Sequence, residues 1–136
     1  MKPVTFELMH TRQVTYVLIV TEADRLTPFL YHLSKIRRQG KLWCIYTDRL
    51  TGENLFPGCY FDDAGLFSHG YAPVINRGRY FHINHRGKAA YSWRFSDIGQ
   101  LDADGVVLVQ HPRALGWSRF HVPSGTFISN PPRYEW

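Results

Sequence analysis

The chain has 136 residues and a mass of 15.9 kDa, which is the length of one domain. Hydrophobic residues make up 44% of it and charged residues 20%, a composition that favours a packed core over a disordered or fibrous chain. Its aliphatic runs are no longer than that of Val17 to Val20, and its two cysteines are too few to staple a secreted scaffold. We therefore expect a single soluble domain over residues 1–136, located in the cytoplasm.

Aromatic residues are unusually frequent, at 15% of the chain, and they are interleaved with eleven glycines and eight prolines. This mixture favours short strands joined by tight turns. The net charge is +5, which favours acidic or polyanionic partners without specifying one. The composition predicts a fold that is mainly antiparallel β.

The N-terminal segment, residues 1–20, predicts a β-hairpin. Apolar and polar residues alternate over residues 4–8, and a β-branched run follows from Val14 to Val20. Alternation and β-branched runs are both typical of strands. The polar residues between the two segments supply the turn.

A single helix is predicted next, ending just before Gly40. Thr27 is a good N-cap and Pro28 suits the first helical position, and apolar residues recur at helical spacing over residues 29–36. Basic residues close the last turn, where they complement the helix dipole, and Gly40 is a suitable C-cap. The sequence thus predicts an α+β fold in which the hairpin and helix of residues 1–39 cap a β-rich remainder.

From Gly40 onward, glycines recur at a nearly constant interval. Gly40, Gly78 and Gly116 are equally spaced along the chain, and Gly52 and Gly87 are separated by a slightly shorter interval. Landmarks that recur in one order indicate an internal repeat, here of β-hairpins with glycine at the turns. Because a lone hairpin is marginally stable, neighbouring units have to pack together.

This repeat resembles the WG-repeat family, whose units read glycine, lysine, tryptophan, glycine, aromatic, isoleucine and acid before a turn glycine. The residues that match in the first unit are Gly40, Lys41, Ile45, Gly52, Pro57, Tyr60, Asp63, Phe67, Gly70, Ala72 and Val74, and those in the second are Gly78, Arg79, Ile83, Asn84, Gly87, Lys88, Phe95, Gly105 and Val109. The Trp-Gly dipeptide itself is absent, since Trp43, Trp93 and Trp117 precede other residues. The resemblance covers residues 40–134 and implies two to three hairpin repeats that form an interaction surface without catalytic residues.

Motifs for catalysis or metal binding are weak in this sequence. His82 and His85 are three residues apart, so on a strand their side chains point to opposite faces and do not chelate one ion. Cys59 and His69 could be drawn as a nucleophile and base, but a proline-glycine turn accounts for the glycine beside the cysteine. We therefore expect a non-enzymatic protein with no metal and no cofactor.

Two classes of partner remain, a protein and a nucleic acid. Aromatic and arginine side chains anchor protein interfaces, and the candidates of this kind are Tyr91, Trp93, Arg94, Trp117, Arg119, Tyr134 and Trp136. For the tryptophans, a place in the core is the alternative.

The basic aromatic stretch 77–88 favours single-stranded nucleic acid. Its candidate contacts are Arg77, Arg79, Tyr80, Arg86 and Lys88. We expect a protein partner first, in an inhibitor, immunity-type or adaptor role, with nucleic acid as the alternative. No membrane partner is expected, and self-association is left open.

Overall fold

The structure is a computed structural model, and it describes residues 2–7, 15–20 and 30–129. Within these ranges every regular element is a β-strand, and all pairing is antiparallel. None of the described residues forms a helix that is long and apolar enough to cross a membrane. The strands are β1 (Lys2–Glu7), β2 (Thr15–Val20), β3 (Tyr31–Arg38), β4 (Lys41–Asp48), β5 (Asp63–Ala64), β6 (Ala72–Asn76), β7 (Arg79–Ile83), β8 (Asp97–Ile98), β9 (Val106–Gln110), β10 (Ser118–His121) and β11 (Thr126–Ser129).

The antiparallel pairing expected for residues 1–20 is present. β1 pairs with β2 from Lys2 opposite Val20 to Glu7 opposite Thr15. The other strands form a two-stranded sheet, β3-β4, a three-stranded sheet, β5-β6-β7, and a four-stranded sheet in the order β11-β10-β9-β8.

The predicted helix is wrong, and the α+β class is wrong with it. Most of the predicted segment is strand β3, which pairs with β4 along its whole length, from Tyr31 opposite Asp48 to Arg38 opposite Lys41. The glycine taken for a helix cap lies instead in a two-residue hairpin turn. The predicted first positions, Thr27 and Pro28, lie outside the described residues.

The reason for this difference is the tertiary partner of the segment. A helix of this length has little stability of its own. As a strand, the segment pairs with β4 along its whole length, which provides partners for its backbone polar groups. Gln39 and Gly40 close the hairpin with φ values of 53° and 76°, the pair of left-handed conformations that a tight hairpin turn requires.

Three hairpins then follow one another, β3-β4, β6-β7 and β9-β10, and the backbone between them repeats. The Gly65 N–H donates to the Pro73 carbonyl at 2.8 Å, and in the next unit the Gly99 N–H donates to the Leu108 carbonyl at 2.7 Å. The equally spaced turn glycines share one backbone conformation, with φ of 76° at Gly40, 75° at Gly78 and 77° at Gly116. The glycine spacing in the sequence therefore coincides with a structural period.

The core runs through these hairpins and is rich in aromatic rings. The Tyr46 hydroxyl donates to the Gly65 carbonyl at 2.6 Å, and the Tyr31 hydroxyl accepts the Phe67 N–H at 2.7 Å, so the buried phenols also tie the loops down. The buried members of the core are Tyr31, Tyr46, Phe56, Phe61, Phe67, Ala72, Val74, Phe81, Ile83, Tyr91, Phe95, Leu101, Val107, Val109, Phe120 and Val122. Among the described residues, every buried side-chain nitrogen and oxygen has a hydrogen-bond partner.

Candidate interaction surfaces

Tyr91, proposed from the sequence as an interface residue, lies in the core. It is 8% exposed, and its hydroxyl is 2.6 Å from Nδ1 of His82, which is 1% exposed. Burial lowers the pKa of His82 to about 4 and raises the pKa of Tyr91 above its ordinary value. This buried pair is therefore a neutral structural contact.

Trp93 and Arg94 also make internal contacts. The Trp93 ring lies parallel to that of Phe95 at 6.4 Å and meets the Phe127 ring edge-on at 5.1 Å. The Arg94 guanidinium lies 3.9 Å from the centre of the Phe81 ring, and it donates hydrogen bonds to the carbonyls of residues 91 and 93. Both side chains are half-buried, and their contacts are with rings of the protein itself, those of Trp93 reaching β11.

The two described candidates in the third unit lie at the surface. Trp117 is 45% exposed, and Arg119 on β10 is exposed as well. Tyr134 and Trp136, the remaining candidates, lie outside the described residues. The two surface residues follow the third hairpin turn, Trp117 directly before β10 and Arg119 on it.

The position of Arg119 recurs in all three units. Each unit contains a glycine after its second strand whose N–H donates to a carbonyl near the end of that strand. The three hydrogen bonds run from Gly52 to Asp48, from Gly87 to Asn84 and from Gly125 to His121. Counting back two residues from each carbonyl gives Tyr46 in the first unit, His82 in the second and Arg119 in the third. The ladder gives the same match between the last two units, because Gly65 donates to Pro73, which lies opposite His82, and Gly99 donates to Leu108, which lies opposite Arg119.

The equivalent positions in the first two units are covered by the turn that follows. Four residues beyond its turn glycine, each of these units places an aromatic ring, Phe56 at 5.6 Å from Tyr46 and Tyr91 at 5.8 Å from His82. The corresponding residue in the third unit is Ser129, whose backbone pairs with Arg119. Serine carries no ring, and Arg119 is exposed.

Exposed apolar side chains lie on the two strands that flank Arg119. Leu108 lies directly opposite Arg119 in the β9-β10 ladder and is 51% exposed, and Ile128 on β11 is 49% exposed. Four of the seven large hydrophobic side chains that are exposed among the described residues lie between residues 108 and 128. We call Leu108, Trp117, Arg119 and Ile128 the open face.

Sequence reasoning missed Leu108 and Ile128. The run Val106 to Val109 is apolar throughout, which is typical of a strand buried on both sides. In the structure Val107 and Val109 are buried while Leu108 is not. The available signal was the alternation that a strand imposes, because residues 107 and 109 point to one side of β9 and residue 108 to the other.

The basic stretch 77–88 does not form one site. Arg77 and Arg79 flank the β6-β7 turn, whereas Arg86 and Lys88 lie in the turn after β7. The strand separates the two pairs by about 16 Å. Tyr80 is half-buried between them.

Tyr80 lines a small cleft between the three-stranded sheet, β5-β6-β7, and the four-stranded sheet that contains β8. The cleft has a volume of about 280 Å³, and its lining residues are Asp63, Ala64, Gly65, Pro73, Ile75, Tyr80, Ile98 and Gly99. Oδ1 of Asp63 is 3.6 Å from Nζ of Lys35, and the Asp63 side chain is mostly exposed. The remaining lining is apolar or glycine, which suits a small apolar group.

The thiols and the metal-ligating residues offer little chemistry in the described part of the chain. Burial raises the pKa of both Cys44 and Cys59, which keeps them as the less nucleophilic thiols. No three His, Cys, Asp or Glu side chains of the described residues come together as a metal site.

A comparison of the chain with protein-family models, with curated proteins and with solved structures found no match. The described fold is a series of antiparallel β-hairpin repeats. Its function is therefore inferred from its own surfaces.

Proposed function

We propose that this protein is a non-catalytic binding module whose partner is another protein, and that the partner docks on the open face. The observation that carries this proposal is the exposure of Leu108, Trp117 and Ile128 together with Arg119, on and next to strands β9, β10 and β11. The resemblance to WG repeats supports the same assignment, because it implies an interaction surface.

The composition of the open face suits a protein interface. Tryptophan and arginine are the residue types most enriched among energetically dominant contacts. Leu108, Trp117 and Ile128 are each about half-exposed, and covering them contributes roughly 1 kcal/mol per side chain. A docked ring could also stack on the planar Arg119 guanidinium.

The repeat itself indicates what kind of partner fits. In the first two units an aromatic ring, Phe56 or Tyr91, covers the position equivalent to Arg119. A partner segment that places an aromatic side chain over Arg119 would restore the contact that the third unit lacks. An inhibitor, an immunity-type protein or an adaptor can each use such a surface.

The test is affinity capture from a native lysate, treated with nuclease and washed at high salt, using matched variants. Trp117→Ala and Leu108→Ser alter the open face, and Leu50→Ser alters a leucine that is 41% exposed in the first unit. We expect a stoichiometric protein partner that the first two variants lose and the third retains.

Two results distinguish the remaining cases. Capture of the same protein by all three variants would place the interface elsewhere. A wild-type mass twice that of Trp117→Ala by light scattering, without a foreign partner, would identify a second copy of this chain as the occupant.

A further inference from the structure

The first two hairpin turns lie side by side at one edge of the molecule. Asp62 joins the two turns. One of its carboxylate oxygens accepts a hydrogen bond from the Lys41 ammonium, and the other accepts one from the Arg77 backbone N–H at 2.7 Å. These two hydrogen bonds lower the pKa of Asp62. Lys41 follows the β3-β4 turn and Arg77 begins the β6-β7 turn, so the carboxylate fixes one turn against the next.

The third turn continues the same edge. Tyr80, just after the second turn, exchanges backbone hydrogen bonds of 2.8 and 2.9 Å with Phe95, and the Ser96 N–H donates to the Gln110 carbonyl at 2.7 Å. The next residue, His111, begins the third turn. Burial lowers the pKa of His111, and the charges of Arg113 and Arg79 lower it further, which agrees with the second and third turns being neighbours.

This row of three turns, which we call the turn edge, is strongly cationic. Asp62 neutralises Lys41, and the neighbouring Asp63 pairs with Lys35 rather than with an arginine of the edge. The exposed cations of the turn edge are Arg37, Arg38, Lys41, Arg77, Arg79 and Arg113.

Two cations of the first turn lie over aromatic rings. The Arg38 guanidinium is 4.4 Å from the centre of the Tyr60 ring, and the Lys41 ammonium is 4.1 Å from that of Trp43. Such contacts orient the cations. A guanidinium held in this way presents its outer plane for stacking as well as its N–H groups for hydrogen bonding.

We propose that the turn edge binds single-stranded nucleic acid. The arginines contact successive phosphates, and unpaired bases stack on exposed guanidinium planes and on Trp117, which follows the third turn. Five of the six cations are arginines, which match the bidentate geometry of phosphate oxygens. This site differs from the stretch 77–88, since it takes only the first two arginines of that stretch and combines them with residues from the turns of the units before and after.

The same cations could face an anionic membrane, but the second turn argues against it. Membrane-surface binding couples cations to apolar side chains that enter the lipid, whereas the second turn consists of Asn76, Arg77, Gly78 and Arg79. A line of arginines on successive turns follows a strand of phosphates better than it covers a flat lipid surface.

The experiment is a fluorescence anisotropy titration of labelled dT20 with the full chain at several salt concentrations. With five phosphate contacts, the logarithm of the binding constant should fall with that of salt concentration with a slope of about −3.5. The test variant is the double substitution Arg77→Asn and Arg79→Gln. Asparagine is chosen because residue 77 has φ of 52°, a conformation that asparagine adopts readily before glycine.

We expect this double variant to bind dT20 at least roughly tenfold more weakly at low salt, with a slope shallower by about 1.4. The matched control is Arg86→Gln with Lys88→Gln, which removes the same charge from the other end of β7. The control should bind within about twofold of the wild type, and both variants should keep the wild-type thermal midpoint.

Three results would overturn the proposal. Equal weakening by the two double variants would show that net charge alone is responsible. If the wild type did not bind dT20 at low salt, single-stranded nucleic acid would be excluded as the ligand of the turn edge. Binding to phosphatidylserine vesicles but not to dT20 would assign the turn edge to a lipid surface.

Discussion

The turn glycines at positions 52, 87 and 125 allow a stability prediction in which one substitution is made three times. Gly52, Gly87 and Gly125 occupy the same place in successive units, with φ of 75°, 76° and 69°. An added Cβ would meet nothing within 4 Å at Gly52, and it would lie 3.3 Å from the Tyr91 Cβ at Gly125. At Gly87 it would overlap the Phe56 ring and lie 2.7 Å from the Phe56 Cβ.

The three alanine variants should therefore lose different amounts of stability. The left-handed backbone costs an alanine about 1–2 kcal/mol, at each site alike. Overpacking adds about 1–3 kcal/mol where the new atom overlaps a core side chain. We expect losses of about 1–2 kcal/mol for Gly52→Ala, slightly more for Gly125→Ala, and about 2–5 kcal/mol for Gly87→Ala.

The assay is urea unfolding at 25 °C followed by far-UV circular dichroism. Equal losses for Gly52→Ala and Gly87→Ala would refute the reasoning, because the two glycines share their φ and Gly87 alone of the two is in contact with Phe56. A second check is the double variant Gly87→Ala with Phe56→Ala. Removing the ring takes away the Cγ and Cδ1 atoms that the new Cβ overlaps, so the double variant should be more stable than additivity predicts.

Three further predictions use buried and exposed groups. The pKa of His82 is about 4 in the folded protein and 6.5 in the unfolded chain. Its contribution to the free energy of unfolding should therefore be fully present above pH 6.5 and fall by up to roughly 3 kcal/mol toward pH 4. Urea titrations across this range should show a smaller fall in His82→Gln. In an assay with Ellman's reagent, Cys44 should react only after unfolding and Cys59 slowly in the native state, because burial raises the pKa of both thiols; rapid native reaction of Cys44 would contradict its burial. Trp117→Ala should change the free energy of unfolding by less than about 0.5 kcal/mol, whereas Trp93→Ala should cost about 2–4 kcal/mol, since only Trp93 packs on core rings; urea unfolding of both variants measures the difference.

The sequence predicted the β-rich part of the fold because its signals there are local. A glycine with φ near 75° marks each turn, and such a backbone conformation selects glycine whatever surrounds it. The prediction for residues 31–38 was wrong because their apolar residues fit both the two-residue period of a strand and the 3.6-residue period of a helix. Tyr31 and Leu33 alternate as in a strand, while Leu33 and Ile36 are spaced as in a helix. The pairing with β4 decided between them, and pairing is a contact that the segment alone does not encode.

Which aromatic side chains would be exposed was less predictable. Tyr91 and Trp117 both lie in glycine-rich, basic surroundings, yet one is 8% exposed and the other 45%. The difference depends on the place of each ring in the repeat. Tyr91 packs against His82 of the preceding strand, whereas Trp117 lies beside the exposed Arg119.

The turn edge shows the same limitation for charge. The stretch 77–88 suggested a single cationic site because its four basic residues are close in sequence. Within an extended strand, closeness in sequence separates residues by about 3.3 Å per position, so Arg79 and Lys88 lie at opposite ends. In a hairpin repeat the neighbours of Arg79 are instead the turns of the units before and after it. Cationic sites in such a chain are therefore better sought at the repeat period than within one segment.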